Sequence, residues 1–260
     1  MKKDKYLLVD LSNFVFRFVM KHGSADIVAN EIQNNIESFA SSLLCNRIII
    51  FQDYKGSDFR KAMYPEYKGN RKDRKPSKFQ DQIDAFFKKL PTITKMLNMY
   101  YPLIKFKGIE ADDTMYYVSK LLGNCVILST DADLLQLDCP QFAYTKGKYI
   151  TLEDQGCDNV GMFIQAKAIA GDTSDNIKGL ERVGLKTAVK YLNKYNCTTF
   201  TDLRDSIPKN SKSKIEQRIL NGTEVVTRNL RLVDIGLVND EIITEAQKEE
   251  IKRDINEFYD

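Results

Sequence analysis

At 260 residues, 43% hydrophobic and 29% charged, the chain is long enough for one or two packed domains and too apolar for disorder. A single histidine, His22, argues against Ser-His-Asp and Cys-His catalysis and against multi-histidine zinc sites, while five scattered cysteines without a C-x-x-C pair (Cys45, Cys125, Cys139, Cys157, Cys197) point to reduced thiols. The net charge of +3 singles out no partner, and any chemistry is expected to rest on carboxylates, lysines and metal.

The apolar-leaning run before Asp10, Tyr6–Val9, is only four residues, too few for a signal peptide, and no run approaches membrane-spanning length, so a cytoplasmic setting is expected. Short β-branched runs then read as buried strands: Tyr6–Val9, Arg47–Phe51, Leu103–Phe106 and Val126–Leu128. Stretches of helical spacing lie between them, at about 25–44, 80–98 and 111–122. This alternation predicts an α/β fold with a mostly parallel central sheet flanked by helices. From Asn159 onward the pattern turns helical. Helices are expected over Asn159–Ala170, Leu185–Tyr195 and 244–258, with glycines 171, 179 and 184 punctuating the stretch between the first two.

An acid stands at or just after the end of each predicted strand: Asp10, Asp53, Glu110 and Asp131. Asp112, Asp113 and Asp133 lie close by, and Asp172 and Asp175 occupy a glycine-containing turn. Each acid alone could be a turn or cap residue. Together, most of them aim at the sheet edge where α/β proteins bind ligands. Two carboxylates at ~4 Å repel by about 4 kcal/mol at an effective dielectric near 20, so such a cluster needs cations. Oxygen donors without histidine or thiolate favour Mg²⁺ or Mn²⁺. Paired ions ~3.5–4 Å apart in carboxylate sites are a recurrent means of phosphodiester cleavage.

Charge is also segregated. Residues 54–78 carry nine basic and three acidic residues, a local +6 that leaves −3 for the remainder. Phe59, Tyr64 and Tyr67 are interleaved with Arg60, Lys61, Lys68, Arg71 and Lys72, a pattern suited to single-stranded or frayed nucleic acid. Farther on, the glycine-bounded turn Gly179–Gly184 leads into a helix with Lys186, Lys190 and Lys194 on one face. Such a turn can present backbone N–H groups to a duplex phosphate.

Val9-Asp10, YPEYKGNR (64–71), GIEADD (108–113), STDAD (129–133) and GDTSDN (171–176) occur in this order, followed by GLERVGLK (179–186). Over about residues 6–235 the chain thereby resembles the flap endonuclease family, the 5′→3′ exonucleases of bacteriophages and the 5′-nuclease domain of bacterial repair DNA polymerases. The resemblance implies a PIN-like or resolvase-like nuclease core over 1–158 with a helical arch at about 54–98. It implies a helical region over 159–260 with a helix–three-turn–helix at about 168–195. It assigns Asp10, Asp53, Glu110, Asp112, Asp113, Asp131, Asp133, Asp172 and Asp175 to metal binding. Tyr67, Lys68 and Arg71 match residues that stack on and clamp the scissile region, and Gly179, Gly184, Lys186 and Lys190 fall in the duplex-holding element, where carbonyls can bind K⁺. Some free-standing bacterial relatives lack the last two acids; here Asp172 and Asp175 are present.

The expected function is a Mg²⁺-dependent, structure-specific 5′ nuclease. It would act by a two-metal-ion mechanism on branched or flapped duplex DNA with a 5′ single strand and on RNA primer–DNA hybrids, as a monomer alongside replication proteins. Two other readings are a phosphatase using Asp131 and Asp133 and a non-catalytic binder of branched DNA.

Overall fold

The structure, a computed structural model, describes residues 4–22, 28–71 and 80–259. Its strands are β1 (Tyr6–Asp10), β2 (Arg47–Phe51), β3 (Leu103–Ile104), β4 (Cys125–Leu128), β5 (Gln141–Ala143), β6 (Lys148–Ile150), β7 (Gly171–Asp172) and β8 (Ile177–Lys178). Its helices are α1 (Leu11–His22), α2 (Val28–Ser42), α3 (Asp58–Met63), α4 (Gln80–Leu97), α5 (Ala111–Leu122), α6 (Val160–Ala170), α7 (Leu185–Lys194), α8 (Phe200–Ser206), α9 (Lys214–Leu220), α10 (Thr223–Val233), α11 (Ile235–Ile242) and α12 (Glu245–Tyr259). No described helix is long and apolar enough to cross a membrane. The described residues fall into two compact units. One lies within 1–58, 75–150 and 239–260, the other within 59–74 and 151–238.

The first unit is built on a six-stranded sheet in the order β3-β2-β1-β4-β5-β6, parallel except for the β5–β6 pair. Leu7–Val9, Ile49–Phe51 and Val126–Leu128 are buried on both faces, which is why these strands read as continuous apolar runs. Phe14 and Val15 of α1, Ile32 and Ile36 of α2, and Phe86, Ile93 and Leu97 of α4 complete the core. Over 86–97, where the resemblance extends the arch, α4 is thus a core helix. The chain leaves β1 for β2 on one side and later reaches β4 on the other. The C-terminal ends of β1 and β4 therefore form a topological switch point, and register sets Val9 beside Leu128 and Asp10 beside Phe51.

Three features depart from the sequence reading. Helix α1 follows β1 with no turn residue between them, so no punctuation announces it. The β5–β6 hairpin has strands too short to register as a run; a Phe142–Tyr149 edge-to-face pair at 5.4 Å supports it. Cys125 and Cys139, expected as free thiols, form a disulfide with Cα atoms 5.9 Å apart. Cys125 opens β4 and Cys139 precedes its neighbour β5, so strand pairing brings together residues that look unrelated in sequence. Cys45, Cys157 and Cys197 are free and buried.

In the second unit, Asn159 caps α6 by accepting the Met162 N–H at 2.9 Å. Gly171, at φ 72°, ends that helix and starts the β7–β8 hairpin. A Cβ on Gly171 would lie 2.3 Å from the Gly179 nitrogen, so the two ends of the hairpin touch through bare backbone. α7 and α10 both pack on α6.

Within the first unit α12 closes an edge. The Tyr259 hydroxyl accepts the Ile48 N–H at 2.9 Å and donates to the Ile48 carbonyl, while Arg47 lies 4.6 Å from the ring centroid. β3 pairs only with Ile50 and Phe51, so the phenol takes backbone groups that the short strand leaves over. Tyr259→Phe is expected to cost about 1–3 kcal/mol, read as a lower urea midpoint at unchanged m-value.

Candidate metal centre

The acids of the first unit are held by the N-termini that meet them. Asp10, the last residue of β1, is 5% exposed; its Oδ1 accepts the Asn13 N–H at 3.1 Å and its Oδ2 the Ser129 hydroxyl at 3.0 Å. The Ser129 Oγ accepts in turn from the Asp131 N–H at 3.1 Å. Asp131 Oδ1 accepts the Asp133 N–H at 3.0 Å, capping the short 3₁₀ turn Ala132–Gln136. Asp53 reaches across from the end of β2 and accepts the Ala111 N–H at 2.8 Å, capping α5. Glu110 is buried at the N-cap of α5 without a side-chain cap bond. Asp112 and Asp113 lie in its first turn, where the helix dipole favours negative charge, and Asp113 is fully buried. Capping and ligand roles are therefore compatible: a cap bond fixes a carboxylate through one oxygen and orients the other.

Electrostatics separate the two units. Burial first, then the charges of Asp53 and Asp131, push Asp10 up to about 7, against the Asn13 and Ser129 hydrogen bonds that favour its carboxylate. In the second unit burial also opposes the charge on Asp172. Lys167, 2.8 Å away, with the Ser174 N–H and hydroxyl, outweighs it and holds Asp172 at about 2. Asp175 receives the Tyr67 hydroxyl at 3.1 Å and lies 3.6 Å from the Lys68 Nζ.

The second unit also fastens the basic segment to this turn. The Lys68 N–H donates to the Asp175 carbonyl at 2.8 Å, Asn70 to the Thr173 carbonyl at 3.0 Å, and Asn176 to the Glu66 carbonyl at 2.7 Å. Lys68 adopts a left-handed backbone, φ 55°. Two residues expected at nucleic acid are packed inside the second unit. Arg60, expected on nucleic acid, is 3% exposed, and its Nε donates to the Leu232 carbonyl at 3.1 Å. Tyr67, expected to stack on substrate, has a buried ring and a hydroxyl committed to Asp175. Both belong to a run whose composition looks wholly solvated. Lys61 is exposed on α3. The Arg71 side chain and all of Lys72 lie outside the described residues.

Beyond the hairpin, the 179–184 turn ends at Gly184, the N-cap of α7, which faces open space. Lys186 and Lys190 are exposed, and Ala188, Val189 and Leu192 form the buried face. Lys194 instead pairs with Glu216 at 2.6 Å. Lys167, Ser129, Asn13 and Asn229 escaped the sequence reading. Lys167 did carry a signal, being the one charged residue in α6.

Hard oxygen donors without histidine or cysteine, set at a switch point around a carboxylate driven toward neutrality, are a donor set that fits a divalent cation. The family models for the 5′-3′ exonuclease N-terminal resolvase-like domain and the 5′-3′ exonuclease C-terminal SAM fold match residues 5–160 and 159–254. The chain belongs to the 5′-3′ exonuclease family. A flap endonuclease of Escherichia phage T5 is 32% identical over 244 residues, 88% of this chain and 82% of that one. A 5′-3′ exonuclease of Mycoplasmopsis pulmonis is 30% identical over 281 residues, 98% and 88% of the two chains. The crystal structure of a bacteriophage T5 flap endonuclease variant, a pseudo-enzyme-product complex with DNA and metal ions, matches with TM-score 0.88 at 29% identity, covering 98% of each chain.

Because the folded-state value of Asp10 lies above its unfolded value near 3.9, the native state retains a proton that the unfolded chain releases, and stability falls as pH rises from about 4 to 7. In metal-free buffer Asp10→Asn is expected to be more stable than wild type at pH 8, by a few kcal/mol at about 1.4 kcal/mol per pH unit, and no more stable below pH 4. Thermal melts across that range measure the difference, and added Mg²⁺ should shrink it.

Proposed function

We propose that this chain is a Mg²⁺-dependent, structure-specific 5′ nuclease that hydrolyses phosphodiester bonds near the 5′ flaps and ends of branched DNA. Mn²⁺ would substitute, and RNA primers paired to DNA would be among its targets in replication. The carrying observation is Asp10, buried at the switch point and raised to about 7 with Asp53 and Asp131 acting on it. Divalent ions supply Lewis-acid stabilisation of phosphate oxygens and lower the pKa of water when bound.

In this reading Asp10, Asp53, Glu110, Asp112, Asp113, Asp131 and Asp133 hold or orient metal in the first unit, with Ser129 and Asn13 fixing Asp10. Asp172 and Asp175 are ligands in the second unit, where Lys167 keeps Asp172 ionised and Lys68 lies beside Asp175. Lys68 and Arg71 are the catalytic cations, meeting the charge of the scissile phosphate, and Tyr67 positions Asp175. Lys61 and Lys72 follow the 5′ strand. The turn from Gly179 to Gly184, with Lys186 and Lys190, grips duplex phosphates, and carbonyls of the 168–195 helix–turn–helix take K⁺. Along the sequence, 1–158 is the nuclease core with its arch and 159–260 the duplex-binding region, with the described residues of 239–260 packing within the first unit and those of 59–74 within the second. The enzyme works as a monomer in the cytoplasm, beside replication proteins.

Neither alternative is favoured. A phosphatase built on Asp131 and Asp133 leaves Asp10, Asp53 and Glu110 without a purpose. A non-catalytic binder leaves unexplained why like charges are concentrated at one edge.

On an end-labelled 5′-flap duplex, Mg²⁺ should give cleavage near the junction and EDTA should abolish it. Asp131→Asn should slow cleavage by about 100-fold while retaining duplex affinity, and Lys68→Ala should slow it as well. Full activity in either variant, or turnover of small phosphate monoesters in place of the flap, would overturn the assignment.

A further inference from the structure

The side chain of Asn229 has no part in the mechanism above, yet it is completely buried inside α10. Asparagine is a poor helix former, so its place in the helix interior calls for a tertiary reason. Its Nδ2 donates to the Ala168 carbonyl at 2.9 Å and to the Lys178 carbonyl at 3.0 Å. An amide nitrogen has two hydrogens, and each of these meets a carbonyl. Ala168 lies in the last turn of α6, whose carbonyls have no partner within the helix. Lys178 is the last residue of β8. Between these anchors run residues 169–177, which contain Asp172 and Asp175. Asn229 thus ties together the entry and exit of the hairpin that carries both acids.

Arg228 fixes the amide in the required orientation. Its Nε and Nη2 donate to Asn229 Oδ1 at 3.2 and 2.9 Å, which leaves the nitrogen facing the two carbonyls. The same Nη2 donates to the Lys178 carbonyl at 3.1 Å. The guanidinium lies 4.7 Å from the Tyr64 ring centroid, and the Tyr64 hydroxyl donates to Glu66, which pairs with the Lys178 Nζ at 3.4 Å. The clamp acts at the hairpin's base, on backbone, and contacts neither carboxylate.

We propose that Asn229, oriented by Arg228, is a positioning residue for the Asp172–Asp175 turn and sets the geometry in which those carboxylates meet a divalent cation. This rests on reading the two acids as metal ligands. A residue that only stabilised the fold would lower the melting temperature without changing metal affinity well below it. A positioning residue changes metal affinity.

Asn229→Leu removes both donors at nearly constant volume, and Arg228→Met keeps the amide but frees its orientation. Each variant would be compared with wild type, well below its melting temperature, in three measurements: the Mg²⁺ midpoint for 5′-flap cleavage, Mn²⁺ binding by the DNA-free protein followed by electron paramagnetic resonance, and duplex affinity in EDTA. Asn229→Leu is expected to raise the Mg²⁺ midpoint and weaken Mn²⁺ binding by about fivefold or more with duplex affinity unchanged. Arg228→Met should do the same to a smaller degree. In a background carrying both Asp172→Asn and Asp175→Asn, Asn229→Leu should add no further shift, because the ligands it positions are gone. Unchanged metal midpoints alongside a lowered melting temperature, or a shift fully additive with that double substitution, overturns the proposal. If Asn229→Leu does not fold, the partly exposed Arg228→Met decides by the same criteria. A wild type that fails to cleave the flap in Mg²⁺ refutes the nuclease reading instead, and the Mn²⁺ arm still decides the role of Asn229.

Discussion

A carboxylate shut away from water beside two others is the constraint on which the first unit depends. Nothing in the covalent chain obliges Asp10 to stand there; the strand order does. β1 is central, and its C-terminal end meets that of β4 at the point where the chain changes direction across the sheet. The surroundings supply what partial positive charge they can. α1 and α5 present N–H groups to Asp10 and Asp53, and a helix N-terminus is worth about half an elementary charge. That falls short of the formal charge of Asp10, Asp53 and Asp131 together, and burial first, with this repulsion added, holds Asp10 at about 7. A hard divalent cation is the counter-charge that such a donor set selects.

The second unit meets the same difficulty by different means. Burial opposes charge at Asp172 as it does at Asp10, yet Asp172 is held at about 2. The sign of the neighbour makes the difference: lysine at 2.8 Å in one case, aspartates in the other. Desolvation is common to both and cannot by itself predict which way a buried acid titrates. A cation drawn to Asp172 competes with Lys167, whereas one drawn to Asp10 relieves a repulsion.

The sequence displays the parts of this arrangement that depend on local pattern. Strands buried on both faces must be apolar throughout, so β1, β2 and β4 stand out, and the acids that follow them mark the edge. Asn159 announces α6, and the spacing of Lys186 and Lys190 against Val189 and Leu192 announces α7. Features made by distant residues are hidden. Asp53 caps a helix that begins at residue 111, and Tyr259 takes the backbone of Ile48. Arg60 and Tyr67 mislead because a run rich in cations looks solvated, and only the fold places Leu232 and Asp175 against them. The Cys125–Cys139 pair depends on which strands are neighbours, and sequence spacing does not encode that.

The fastening of residues 64–70 can be followed energetically. Ordering a residue's backbone costs about 1–2 kcal/mol, and a net hydrogen bond returns about 0.5–1.5 kcal/mol, so a segment stays fixed only where bonds are nearly as dense as residues. Glu66, Tyr67, Lys68 and Asn70 each bond to the 173–176 turn, through the Glu66 and Asp175 carbonyls, the Tyr67 hydroxyl and the Asn70 amide. That density places Lys68 and Asp175 in one rigid piece of the second unit. Moving the turn therefore moves the cation with it, and the geometry of the two charges is decided by the hairpin's base rather than by the length of the lysine side chain.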